Sequence, residues 1–145
     1  MTASKQGPRI STKIEMGNPN WREKMKIPNT NITLEDLLDH MPIGVHFVDK
    51  DGFLRYQNRL AASRPAPVRR EVGVNIKDCH AHPESLEAIE FIFDDFRRGR
   101  KEPHFYITPT GRKAVKVPIS DAEGNFVGIL SYGHPVGLPA TSRTF

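Results

Sequence analysis

A chain of 145 residues is the size of one compact domain with a real core, and leaves no room for a second. Its 37% hydrophobic and 26% charged residues exclude a wholly disordered chain, and the single cysteine, Cys79, excludes an internal disulfide and fits a reducing, cytoplasmic setting. The net charge of +4 does not mark a nucleic-acid reader: residues 1–32 carry Lys5, Arg9, Lys13, Arg22, Lys24 and Lys26 against Glu15 and Glu23, and the rest holds fifteen basic and fifteen acidic side chains.

Residues 1–32 mix Gly, Pro, Asn, Ser and Lys without an apolar period, so they read as a basic arm that Trp21 could anchor. No run approaches the about 20 apolar residues of a membrane span, and residues 1–16 lack the apolar stretch of a secretory signal; no membrane partner is expected. Thr33-Leu34-Glu35-Asp36 has the form of a capping box ahead of Leu37, Leu38 and Met41, and Pro42 stops that helix.

Over residues 43–57 the period changes to two. Val45 and Phe47 share one face, His46 and Val48 the other, and Asp51-Gly52 supplies hairpin turn chemistry before Phe53-Leu54-Arg55-Tyr56. Residues 58–72, with Ala61, Ala62, Pro65 and Pro67 among several arginines, read as short helical turns joined by an irregular stretch. Pro83 opens a longer helix whose Leu86, Ile89, Phe93 and Phe96 recur at helical spacing, and Gly99 closes it. Three strands follow: residues 104–108, 112–120 and 126–134, with turns at Pro109-Thr110-Gly111 and Glu123-Gly124-Asn125. Residues 137–145 form a tail.

This order predicts an α+β fold, a five-stranded antiparallel sheet with helices on one face. The acidic hairpin Asp49-Lys50-Asp51-Gly52, the Gly73-Val74-Asn75 segment ahead of the long helix, and the Asp121-Ala122-Glu123-Gly124 turn stand where the PAS family has them, and residues 33–136 resemble a PAS domain. The resemblance implies a cavity between sheet and long helix that holds haem, flavin, a small metabolite or a protein contact.

The segment Asp78-Cys79-His80-Ala81-His82-Pro83 resembles the haem-binding PAS type and the PAS module of hemerythrin-associated proteins, where a Cys-His-Pro-Pro run precedes the same helix. By that resemblance the cofactor is haem b and the iron ligand His80, with His82 and Cys79 as alternatives. Physically, a helix start disfavours imidazolium and keeps an electron pair available for iron. The plainer reading makes both histidines polar capping residues and Cys79 a small buried core residue. Flavin photochemistry needs Cys after the Asn of Gly-x-Asn-Cys-Arg, whereas Gly73-Val74-Asn75 is followed by Ile76.

His46, His104 and His134 lie on predicted strands and are candidates for the opposite side of a bound group. Arg64, Arg69 and Arg70 are candidates for haem propionates or an anionic substrate, because guanidinium forks match carboxylates. Lys113 is a further candidate for a substrate carboxylate. Gly128, Gly133 and Tyr132 on the last strand could let a planar ring lie against the backbone.

A PAS domain with only short tails is expected to be a freestanding protein, and it resembles the haem PAS lyases that break N-nitroglycine into nitrite, ammonium and glyoxylate with ferrous iron. The alternatives are a gas or redox sensor working through a partner or a homodimer, and a cofactor-free interaction domain whose cavity Phe93, Phe96 and Phe105 fill.

Overall fold

The computed structural model describes residues 25–64, 70–80, 82–108 and 111–136. Trp21, Arg69 and the tail 137–145 lie outside the described residues. Two compact units divide the chain, Met1–His40 and Met41–Phe145.

In the first unit, α1 (Leu34–Asp39) begins at the expected capping box. Asp36 N–H donates to Thr33 Oγ1 at 3.1 Å, and Thr33 N–H donates to Asp36 Oδ2 at 2.8 Å. Each bond satisfies a donor that the helix start or its approach would otherwise leave open.

The second unit is built on a hairpin. β1 (Val45–Asp49) and β2 (Leu54–Gln57) pair antiparallel across the turn that Asp51-Gly52 predicts. Asp49 closes it, its carboxylate accepting from Asp51 N–H at 2.9 Å, Phe53 N–H at 3.0 Å and Arg55 Nε at 2.6 Å. Gly52 sits at φ +97°, a left-handed conformation open to glycine at little cost. The later hairpin repeats the device: Asp121 Oδ1 accepts from Glu123 N–H and Asn125 N–H, each at 2.9 Å.

After β2 come the short helix α2 (Arg59–Ala62), a 3₁₀ turn (Ile76–Cys79) and the long α3 (Pro83–Arg97). β3 (His104–Ile107), β4 (Arg112–Ser120) and β5 (Phe126–Pro135) complete an antiparallel sheet of order β2-β1-β5-β4-β3. The last strand is therefore central, between β1 and β4. Gly128 permits this, because a Cβ there would collide with the Val48 carbonyl and the Phe47 ring.

Phe93 and Phe96 of α3 pack with Val48, Leu54 and Ile129 of the sheet to form the core. The C-terminal end of α3 is tied to the first hairpin by Arg97 Nη2 donating to Lys50 O at 2.9 Å. At the outer edge, Phe105, Tyr106 and Ile107 of β3 are exposed. Among the described residues no helix is long and apolar enough to cross a membrane.

Among the described residues the polar side chain of Asn58 is wholly inside. Asn58 Oδ1 accepts from Val45 N–H at 2.9 Å and Ala61 N–H at 3.1 Å, while its Nδ2 donates to Ile43 O at 2.9 Å. It thus caps α2 and fixes the start of β1 together. Replacement by Ala leaves buried backbone groups without partners, and we expect Asn58→Ala to cost about 2–4 kcal/mol. Urea unfolding measures this; a loss below about 1 kcal/mol would contradict the bridging role.

Candidate functional site

Antiparallel pairing sets one residue of each strand opposite its neighbour, so a row of side chains crosses one face of the sheet. His46 on β1 pairs with Ser131 on β5, Ser131 with Lys116 on β4, and Lys116 with His104 on β3. On one side of this polar row Val48 pairs with Ile129, and on the other Ala114 pairs with Gly133. The face is apolar on one flank and small on the other.

Opposite the row lies α3, and between them is a cavity of about 800 Å³. That falls in the usual 300–1,000 Å³ of small-molecule and cofactor sites. Ile76, Ile89, Ile92 and Phe91 contribute apolar wall, and all four residues of the polar row line it. Phe93 and Phe96 lie in the core beneath and Phe105 is 63% exposed, so these rings do not fill the space.

His80 reaches the cavity through a chain of local bonds. Asn75 Oδ1 accepts from Lys77 N–H at 3.0 Å and Asn75 Nδ2 donates to Asp51 O at 3.1 Å, which ties the 3₁₀ turn to the first hairpin. Ile76 N–H donates to Gly52 O at 2.8 Å, and Lys77 pairs with Glu90 of α3 at 2.7 Å. His80 follows directly, half-buried, as the C-cap of that turn.

The neighbouring candidates separate here. His82 is the exposed N-cap residue of α3, its carbonyl accepting from Ser85 N–H at 3.0 Å and Leu86 N–H at 3.2 Å, and it is not among the lining residues. Cys79 is exposed rather than a small core residue, because the 3₁₀ turn directs it outward with Sγ 3.7 Å from Asn75 O.

Four cations line the same cavity: Arg64, Arg70, Arg112 and Lys116. Arg64 and Arg70 flank residues 65–69, and α2 delivers Arg64 over Gly44, where a Cβ would lie 2.7 Å from the guanidinium. Arg112 Nη2 donates to Gly133 O at 2.8 Å. Among the described residues Glu84 is the one acidic side chain of the lining. Like charges in a site of low dielectric repel, and a bound anion would offset that repulsion.

The titrating groups register this field. Burial, reinforced by Arg64, Lys116 and Arg70, pushes His46 down to about 4. Burial, then Arg70 and Arg64, pushes Lys116 down to about 8. His80 is lowered too, by burial and then by Arg70 and Lys116. Both histidines are thus kept neutral, the form that offers an electron pair to a metal.

The remaining candidates divide between the cavity and other faces. His104 Nε2 lies 2.8 Å from Asp95 of α3, with its ring against Phe96 and Phe91, so it lines the cavity but is held by the helix. Lys113 is one residue out of phase with Arg112 and Ala114, and its Nζ stands 4.5 Å from the Phe105 ring centroid instead of at the cavity. His134 Nδ1 lies 3.0 Å from Pro135 O and is not among the lining residues. Tyr132 and Gly133 line it.

Sequence reasoning missed Lys116, Ser131, Arg112 and Gly44. Alternation carried a signal for the first, since Lys116 falls between the apolar Val115 and Val117 in the phase of Ala114.

The His46 field has a measurable consequence. The folded chain takes up this proton near pH 4 and the unfolded chain near 6.5. Between these values the unfolded state holds more protons, so stability is full above 6.5 and falls as pH drops toward 4. For the ligand-free chain we expect His46→Phe to remove up to about 3 kcal/mol of that loss, less solvent screening. Unfolding free energies at pH 7 and 4.5 for both proteins decide it; parallel pH profiles would contradict the assignment.

A family model described as PAS domain matches residues 34–132. The C-terminal domain of a Streptococcus mutans protein is 26% identical, with a TM-score of 0.57 over 76% of this chain and 91% of that one. The PAS domain of Bordetella pertussis BvgS is 18% identical, with a TM-score of 0.54 over 75% of this chain and 88% of that one. A sensory box sensor histidine kinase from Vibrio cholerae is 17% identical, with a TM-score of 0.51 over 73% and 90%. No curated protein matches the sequence.

Proposed function

Because the chain belongs to the PAS family, we propose that its cavity holds haem b and that the loaded protein cleaves a small nitramine carboxylate such as N-nitroglycine. The observation that carries this reading is the donor set. Haem b is an apolar ring with two anionic propionates and an iron that requires an axial base. The cavity offers Ile76, Ile89, Ile92 and Phe91 as wall, Arg64 and Arg70 as counter-charges, and His80 as a neutral imidazole. When bound, the group supplies a redox-active iron.

The chain's own residues bind and orient. The cations would hold carboxylates, and the apolar residues on the helix side would pack against the ring. Cleavage of N-nitroglycine balances without an external oxidant. The N–N bond breaks with its electron pair leaving as nitrite, a methylene proton is lost as the C=N bond forms, and water hydrolyses that imine to glyoxylate and ammonium.

Two measurements test the reading. The purified chain, or the apo chain titrated with haem, is expected to show a Soret band at one equivalent. His80→Ala should shift or abolish it while His82→Ala leaves it in place. Absence of haem uptake by the wild type would sink the proposal. With haem bound, N-nitroglycine under anaerobic reducing conditions is expected to give nitrite; uptake without nitrite would replace the lyase by a gas or redox sensor.

A further inference from the structure

We propose that Lys116 and Ser131, flanked by His46, form a subsite for the oxyanion of a small carboxylate on the sheet side of the cavity. The three residues stand opposite one another on the adjacent strands β4, β5 and β1, and all line the cavity. The inference rests on this geometry and does not require haem.

The hydrogen-bond inventory shows what the row can offer. Lys116 Nζ donates to Ser131 Oγ at 2.6 Å. An ammonium carries three donors, so two remain. Ser131 Oγ is already accepting, which leaves its own O–H available to donate. A neutral His46 adds one ring N–H, so three neighbouring side chains present donors to the same space.

Among the described residues no carboxylate is bonded to Lys116 or Ser131, and Arg64 and Arg70 add to the positive field at Lys116. A half-buried ammonium bonded only to a hydroxyl remains uncompensated in charge, and a counter-ion would lower the cost of holding it there. The ligand is the natural source of that charge.

The surroundings favour a small monoanion. Ala114 and Gly133 beside the row carry little side-chain bulk, and Arg112 reaches over Gly133 to bond its carbonyl, which puts a further cation on that side. Val48 and Ile129 close the other flank with apolar surface. A carboxylate with a short carbon chain can place its oxygens on the donors and its carbons on that flank. A phosphate dianion would bring a larger desolvation cost and no apolar part.

The test uses the full chain, titrated with glycolate, acetate and inorganic phosphate at matched ionic strength, with thermal unfolding and amide NMR shifts as readouts. Visible absorbance of the same sample is recorded, so that a missing chromophore and a missing anion site are read separately. The wild type should bind a carboxylate saturably, and more tightly than phosphate. Lys116→Met should weaken that binding about tenfold or more, and Ser131→Ala by several-fold. If Lys116→Met does not fold, Lys116→Arg and Ser131→Ala carry the comparison, with weakened binding expected in Ser131→Ala. No saturable binding by the wild type, preference for phosphate, or unchanged affinity in the folded variants would overturn the subsite.

Discussion

Like charges gathered around an apolar-walled cavity are the constraint on which this domain's site is built. Arg64, Arg70, Arg112 and Lys116 converge where Glu84 is the one acid of the described lining. In water such an assembly would be screened within about 8 Å at physiological salt, but between a sheet and a helix the screening is weaker. Burial first, and the neighbouring cations after it, depress the proton affinities of His46, Lys116 and Arg64. An anionic ligand bound there would offset the cost of gathering those charges.

The rest of the architecture is arranged to hold those charges in place. Asn58 joins the start of β1 to α2, and α2 carries Arg64 to the space that Gly44 leaves. Asn75 joins the 3₁₀ turn to the hairpin at Asp51-Gly52, and that turn carries His80 to the helix side of the cavity. Short side-chain-to-backbone bonds, each modest by itself, set the positions of groups that lie far apart in sequence. The segment Gly73-Val74-Asn75 therefore has a mechanical meaning beyond its familiarity as a motif.

The sheet order gives the site its two walls. β5 is inserted between β1 and β4, so residues about 70 and 85 positions apart, Lys116 with His46 and Ser131 with His46, share one row. The helix side brings His80 and aliphatic surface, and the sheet side brings Ser131, Lys116 and His46. A group bound there would meet different chemistry on its two faces.

Local physics determined much of this protein from sequence alone. The capping box at Thr33, the Asp-Gly hairpin, the helix opened by Pro83 and the alternating strands each depend on residues a few positions apart, and each stands where those residues predict. His80, Arg64 and Arg70 were legible as candidates because their residue types and a family resemblance singled them out. Tertiary structure alone decided which of them share a cavity, that Cys79 and His82 turn to solvent, and that Lys113 lies on the other face. It also revealed Lys116, Ser131 and Asn58. Their roles arise from cross-strand register and from bonds spanning 13 to 15 residues, and no window of local sequence contains both partners of such a contact.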